Sequence, residues 1–530
     1  MNSQASAAIS TPLVSASVEG EAVLSEGGSA IDAAIAANAM LAVCFPHMCG
    51  LGGDLFAVVG EPSGNIVSIN GSGSSSLAPQ KRKYGGDTSW KRGAASVTVP
   101  GAVGSWTELH RTYGRLPLAR LLEPAIKAAR DGFYVGASLS RSIRSNRDLI
   151  AANLGARSIF FSQGEPIVEN SLLKQPALAE TLTSIARHPS GFYGGHLARK
   201  LVNGLNQLGV ELSENDFQHF TPKPERALRR SFTLGDGVFT VSTSPPNSQG
   251  VLLLGALGMI SKADERLNPF SPKTARLMAL AAAKGSLWRA ENLADARRMK
   301  VDANHLLEDD SPFEFPQSSG SEQSGDGDTV AIVVKDSSGL SVSLIQSLYS
   351  AFGSGLLETE TGLLLQNRGD CFDPILSRVN GFAAGMRPAH SLSPVIVEQD
   401  DVFKLAVGTM GGLGQPQILT HVLLRILGLG ESAEEAVAAP RWLLDAPPLK
   451  GQDWTFVAEQ DVPDDVIREI STAGFRQRKA QLNDDVFGHT QVVQQQGSIT
   501  SAASDKRADG IAKVVATKNP FSEKTEWMTN

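Results

Sequence analysis

SPFEFPQSSGSEQSGDGDTVAIVV, residues 311–334, changes texture at one threonine. From Ser311 to Asp328 the chain is acidic and rich in Ser, Gly and Pro, with too little apolar surface to offset the entropy of ordering it. From Val330 to Val334 it is a β-branched run of the kind that forms a buried strand. A segment that cannot bury itself thus ends one residue before a strand begins, at Thr329. Cutting a precursor there would make a threonine the first residue of a packed strand. Such a residue carries a hydroxyl nucleophile and, in its own α-amino group, a base. That amine has an ordinary pKa of about 7.7 to 8.0, so part of it is neutral near pH 7. In the uncut chain the same hydroxyl could attack the Asp328 carbonyl, giving an ester that water opens.

The rest of the composition sets bounds. A chain of 530 residues, 42% hydrophobic, is long enough for a large core. A net charge of −7 argues against nucleic acid or an anionic membrane surface as partner. The three cysteines, Cys44, Cys49 and Cys371, make no disulfide framework and fit a reducing compartment. Cys44, His47 and Cys49 sit at the end of an apolar helix without a fourth ligand at zinc-site spacing, so buried structural thiols are expected and no metal. No membrane-length apolar run and no signal-peptide pattern occur, so a cytoplasmic protein is expected. No cofactor is implied, and a homo-oligomer is compatible with the sequence.

Along the chain, Pro12–Val18 reads as a β-like start. GGSAIDAAIAANAMLAV follows as a helix, with Ser29 and Asp32 spaced as a capping box. Strands are expected at Leu55–Val59 and Asn65–Ile69, paired as a hairpin. A long helical middle should cover Ser105–Thr112, Leu118–Asp131, Gln175–Arg187, His196–Leu208, Leu252–Lys262 and Pro272–Asn292. After Thr329 the period returns to strands: VAIVVKDSSGLSVSLIQS, GLLLQNRGD, SPVIVEQ and FKLAVGT. PQILTHVLLRILGLG and Ser432–Ala439 then read as helices. Strands, helices, then strands and helices again suggest a layered α/β sandwich whose core is shared by both ends of the chain.

Three further stretches could carry chemistry. In KLAVGTMGGLGQPQI, residues 404–418, a strand runs into glycines that open a helix. The GxGxxG spacing of a dinucleotide site and the GK[ST] ending of a P-loop are both missing. An oxyanion hole built on Gly411 and Gly412 and a plain tight turn both fit. GLLLQNRGDCF places Arg368 and Asp370 after a buried strand, where an arginine can hold a carboxylate or form a surface ion pair. RPAHSLSP places His390, Ser391 and Ser393 in a turn, but no GxSxG elbow supports a serine hydrolase.

Taken in order, these segments resemble the γ-glutamyltransferase family of N-terminal-nucleophile hydrolases. GGSAIDAAIAAN, PHMCGLGGDLF and SVTVPGAVGSW are similar to large-subunit signatures. GDTVAIVVKDSSGLSVSLIQS, FGSGLLETETGLLLQN, RPAHSLSP and GTMGGLGQPQ are similar to small-subunit ones. The resemblance implies a four-layer αββα sandwich, self-cleavage between Asp328 and Thr329, and subunits 1–328 and 329–530. It implies Thr329 as nucleophile, Ser347 as the hydroxyl that supports it, and Gly411–Gly412 as the oxyanion hole. His390 and Ser391 fall where a serine pair contacts the substrate carboxylate. The implied chemistry is attack on a small-molecule amide, an acyl-threonine ester, and release to water or an amine acceptor.

The departures concern the clamp for an α-amino acid. The arginine of an RETAP-like stretch has no counterpart in INGSGSSSLAP, residues 69–79. The aspartate that holds the substrate ammonium aligns with Cys371, an asparagine with Tyr349 and a glutamine with Arg368. A buried ammonium without its counter-ion costs about 3 to 5 kcal/mol, unless Asp370 substitutes. The wording NRG and GTMGGLGQPQ resembles a branch with oxamate amidohydrolase and glutathione-hydrolase-like proteins, where Arg368 and His390 would hold a substrate carboxylate. A γ-glutamyl amide, another acidic amide such as oxamate, or an uncut relative that only binds are the three outcomes expected.

Overall fold

The computed structural model describes residues 6–78, 90–262, 267–308, 328–445, 453–480 and 485–516. The acidic stretch before Thr329 lies outside the described residues apart from Asp328. Two antiparallel sheets stack face to face, and helices cover both outer faces. Each sheet draws strands from before and after Thr329.

The first sheet contains β1 (Ser6–Thr11), β2 (Asp54–Gly60), β3 (Ile66–Gly71), β4 (Pro224–Arg226), β7 (Asp328–Lys335), β8 (Ser341–Tyr349) and β13 (Ile511–Ala516). Their spatial order is β13-β1-β7-β8-β2-β3-β4. The second contains β5 (Leu228–Leu234), β6 (Gly237–Thr243), β9 (Val395–Gln399), β10 (Val402–Thr409), β11 (Thr490–Gln496) and β12 (Ile499–Ser504), in the order β12-β11-β10-β9-β6-β5.

Alternation along the strands sorts side chains between layers. On β7, Val330, Ile332 and Val334 pack with α1 (Val14–Ser25), α2 (Ala30–Cys44), α3 (Leu118–Asp131) and α4 (Pro176–Arg187). Val333 packs instead with Val58, Ile396, Ala406 and Val493 between the sheets. On the far side, Val395, Val397, Leu405 and Val407 pack with α5 (Gly250–Ile260), α6 (Pro272–Asn292) and α7 (Gln415–Leu423). The sheets close tightly at Gly408, where an added Cβ would sit 3.1 Å from Ala331 Cβ. These are the helix–sheet–sheet–helix layers expected from the sequence.

Local signals account for most elements. Ser29 Oγ accepts from Asp32 N at 3.0 Å, and Asp32 Oδ2 accepts from Ser29 N at 2.9 Å, closing the capping box. The hairpin β2–β3 and the helices Leu118–Asp131 and Pro272–Asn292 form where expected. Three readings need correction. Residues 14–18 open a helix, not a strand, because Ala16, Ser17, Gly20, Val23 and Leu24 form one buried helical stripe. The helical middle is interrupted by the hairpin β5–β6, whose strands join the edge of the second sheet by pairing with β9. GLLLQNRGD is mostly turn: only Leu363–Leu364 pair as a strand before a 3-10 turn at Arg368–Cys371.

Candidate active site

On the face of the first sheet that looks toward the second, Thr329, Ser347 and Asp54 lie side by side. Thr329 pairs with Ser347, and Ser347 with Asp54, across three adjacent strands. Register slips between Asp328 and Thr329, so that Asp328 faces Tyr349 and Leu348 has no opposite number. Tyr349 takes φ +81°, a left-handed conformation that a tyrosine holds only when its surroundings enforce it. The bulge turns the Asp328 carbonyl toward Ser347, whose Oγ donates to it at 2.6 Å. Ser347 Oγ also accepts from Tyr349 N at 2.8 Å, which fixes its proton on the Asp328 side. Thr329 is 1% exposed, and its Oγ1 has no hydrogen-bond partner. A buried hydroxyl pays a desolvation cost when left unpaired, so this one stands ready to react or to accept a partner.

The glycine turn reaches the same end of the sandwich. Ser343 Oγ donates to Val407 O, and Gly408 packs between Ser343 and Ala331. Continuing β10 past Gly408 therefore runs toward Ser347 and Thr329. There the chain bends with φ +133° at Gly411 and +51° at Gly412, then enters α7 through a 3-10 turn. Non-glycine residues resist both angles. Such a turn presents successive amides, as an oxyanion site requires.

Beside this centre lies a buried polar cluster that includes most of the residues expected to contact substrate. Arg368 is fully buried. Its Nη1 donates to Ser391 Oγ at 3.2 Å and lies 3.7 Å from Cys371 Sγ, and its guanidinium stacks 4.6 Å above the Tyr349 ring. Its Nε and Nη2 have no hydrogen-bond partner. Burial raises the Cys371 thiol above its ordinary pKa, so it stays neutral at pH 7. Asp370 is half-buried on the same 3-10 turn, its amide donating to Asn367 O at 3.0 Å.

His390 has both ring nitrogens engaged. Nδ1 accepts from Leu392 N at 3.3 Å, so Nε2 carries the proton and donates to Asp54 Oδ2 at 3.1 Å. Burial, followed by the charges of Arg368, Arg289 and Arg387, holds this imidazole well below its usual pKa, hence neutral. Asp54 Oδ1 accepts from Gly73 N at 3.0 Å and Gln366 Nε2 at 2.8 Å. Burial pushes Asp54 up to about 7, although Arg368 Nε, 3.9 Å away, and these donors pull it down.

Asp54, Gln249 and Arg289 belong to this cluster and were not singled out by their sequence context. Asp54 was visible as the acidic start of a strand that otherwise alternates between two buried faces. Arg289 was visible as an arginine on the buried stripe Ala275, Met278, Ala279, Gly285 of α6. Gln249 had no comparable signal. Cys44 and Cys49 are buried thiols, and burial pushes Cys44 up to about 12. Among the described residues no group of three or more His, Cys, Asp or Glu is placed to hold a metal. Nor, among them, is any helix long and apolar enough to cross a membrane.

Residues 16–515 match the family model described as gamma-glutamyltranspeptidase. The chain belongs to that family. It is a hydrolase of the N-terminal-nucleophile type, with the mixed α/β layers of that fold. The oxamate amidohydrolase proenzyme of Klebsiella pneumoniae is 32% identical over 508 residues, covering 93% of this chain and 95% of that protein. The glutathione hydrolase-like YwrD proenzyme of Bacillus subtilis is also 32% identical, over 95% of this chain and 97% of its own. Among solved structures, the cephalosporin acylase from Bacillus halodurans superposes with a TM-score of 0.86 at 26% identity, covering 97% of this chain and 96% of that one.

Proposed function

We propose that this protein is a precursor that cuts itself between Asp328 and Thr329 and then hydrolyses a small carboxylate-bearing amide through an acyl-threonine ester. The observation that carries this is the unpaired, buried Thr329 hydroxyl beside a carbonyl that Ser347 already polarises. In the uncut chain, Thr329 Oγ1 attacks the Asp328 carbonyl carbon while Ser347 Oγ–H stabilises the developing oxyanion. The C–N bond breaks, the Thr329 nitrogen takes the hydroxyl proton, and water hydrolyses the ester. The products are residues 1–328 and 329–530, with a free amine on Thr329.

That amine, with an ordinary pKa of about 7.7 to 8.0, then takes the hydroxyl proton as Oγ1 attacks the substrate amide. The Gly411–Gly412 amides receive the oxyanion, the amine or ammonia leaves with the proton, and water or an acceptor amine releases the acyl group. The Nε and Nη2 of Arg368, which make no hydrogen bond, support a carboxylate on the substrate. The neutral Cys371 does not support a counter-ion for an α-ammonium, which favours an acidic amide of the oxamate type over a γ-glutamyl group. His390, bonded through both nitrogens, supports Asp54 and the Ser391 turn rather than the substrate itself. A binding-only role is disfavoured, because a buried hydroxyl without a hydrogen bond, next to a peptide carbonyl that Ser347 polarises, serves no purpose in binding.

Denaturing electrophoresis tests this directly. The 56.0 kDa chain should resolve into two fragments whose smaller member begins at Thr329, and Thr329→Ala should stay whole. A wild-type band that stays single after prolonged incubation, or scission of Thr329→Ala at the same bond, would refute it.

A further inference from the structure

The Thr329 nitrogen can serve as a base only after the cut. Before it, that nitrogen belongs to a peptide bond, and resonance leaves it no lone pair to take a proton. Scission therefore needs another group to carry the hydroxyl proton, and the packing of the two sheets brings one to the place.

Across the sandwich, β7 lies against the paired strands β10 and β11 in steps of two residues. Val333 packs with Ala406 and Val493, which are partners in register. One step on, Ala331 meets Gly408, whose partner is Gln491. The next step brings Thr329 to Met410 and to His489, whose carbonyl accepts from Met410 N at 3.3 Å. Gln491 reaches the first sheet through Ser10 Oγ, so His489, two residues earlier, faces the same way. His489 is buried, and neither of its ring nitrogens makes a hydrogen bond; nor does Thr329 Oγ1. Two buried groups that could satisfy each other thus stand unpaired at one step of the sandwich. A side-chain rotation or one bridging water is how such a pair meets.

The turn that leads into His489 supports the same role. Asp485 Oδ1, on the 3-10 turn Asp485–Phe487, lies 3.4 Å from His489 Nε2. A carboxylate at one ring nitrogen favours the tautomer that offers the other as acceptor. The turn also rests on the oxyanion glycine: a Cβ on Gly411 would lie 3.7 Å from Gly488 Cα and from Val486 O. The other charged or titratable groups nearby are His47, on the loop after α2, and Arg141, on the helix Ala137–Ser145. Asp328 heads the strand opposite. Burial pushes His47 down to about 3, so it stays neutral, and its Nε2 lies 3.2 Å from Ser138 Oγ. Although burial acts to raise Asp485, its contact with His489 and the charge of Arg141 hold it below the usual carboxylate range, hence ionised at pH 7.

We propose that His489 is the proton carrier for self-cleavage. This rests on the reading above that the chain cuts itself before Thr329. The imidazole takes the Oγ1 proton as Oγ1 bonds to the Asp328 carbonyl carbon, with Ser347 holding the oxyanion. It then gives that proton to the Thr329 nitrogen as the C–N bond breaks. The imidazole ends neutral, and the ester needs only water to open.

Loss of the full-length band in rapidly purified precursor, followed from about pH 5 to about pH 9, tests this. The wild-type rate should rise with pH through one ionisation and level off, because a base acts only when deprotonated. His489→Gln and His489→Ala should cut about 100-fold more slowly and lose that step. Added imidazole should restore cutting to His489→Ala and not to Thr329→Ala. A wild-type chain that never cuts refutes the self-cleavage reading itself. A wild-type chain that cuts while His489→Gln keeps its rate overturns only the present inference. So does a slow His489→Ala that imidazole leaves unchanged. Should both variants be insoluble, the wild-type profile decides: a cutting rate flat across that range overturns the proposal.

Discussion

Ser347→Ala removes one hydrogen bond from the bond proposed to break, and its consequences can be worked out in advance. The hydroxyl donates to Asp328 O at 2.6 Å, a short contact aimed at the oxygen that becomes an oxyanion when Thr329 attacks. Removing one such donor costs about 2.7 to 4 kcal/mol of transition-state stabilisation, or about 100- to 1,000-fold in rate. The same hydroxyl accepts from Tyr349 N, so the variant also leaves a buried N–H unpaired, at about 1 to 3 kcal/mol of folding stability. Two measurements separate these effects. Loss of the full-length band with time, by denaturing electrophoresis after rapid purification in the cold, gives the cleavage rate. Denaturant unfolding of Thr329→Ala with and without Ser347→Ala, both uncut, gives the stability term alone. Ser347→Thr keeps a hydroxyl and should cleave far faster than Ser347→Ala. If Ser347→Ala cuts at the wild-type rate, polarisation of the Asp328 carbonyl plays no part in scission.

Two predictions concern neighbouring groups. Gly411→Ala forces a side chain onto φ +133° and puts its methyl 2.4 Å from Ile418 Cδ1; substrate turnover should fall about 100-fold or more, measured by ammonia release. Self-cleavage should persist in that variant, because its oxyanion is served by Ser347. Asp54 is lifted from 3.8 to about 7 by burial, so between those values the folded chain binds more protons than the unfolded one. The contribution of Asp54 to stability therefore falls as pH rises from about 4 to about 7, then levels off. Asp54→Asn lacks this term, so its melting temperature relative to wild type should climb across that window; a difference flat with pH would show that Asp54 is not held protonated.

Features with local causes were legible in the sequence. The capping box at Ser29, the glycine turn at 411–412 and the boundary at Thr329 each follow from a few adjacent residues. The layering was legible too, because β7 alternates between two buried faces and cannot lie on a surface. What escaped depends on distant partners. The hairpin β5–β6 is an edge pair with half-buried, polar-rich strands, and its place is set by pairing with β9 more than 150 residues on. Residues 14–18 carry β-branched valines that suit either state until helix packing chooses. Arg289 and Gln249 gain meaning only where α6 and the turn before α5 meet Ser391 and Gly412. Cys371 could be named from sequence, but the burial that holds its thiol still further above its ordinary pKa could not.

Each sheet interleaves strands from the two sides of Thr329: β1, β2, β3 and β4 with β7, β8 and β13, and β5 and β6 with β9 to β12. Scission at that bond would release one peptide link while leaving both polypeptides threaded through the same two layers. Neither piece could then bury its strands alone, so folding has to be finished before the cut. Unfolding the cut enzyme would turn a unimolecular search into an encounter between two chains, with recovery dependent on protein concentration. Processing would work as a ratchet: the precursor can renature after denaturation, while the mature enzyme persists through slow unfolding rather than ready refolding.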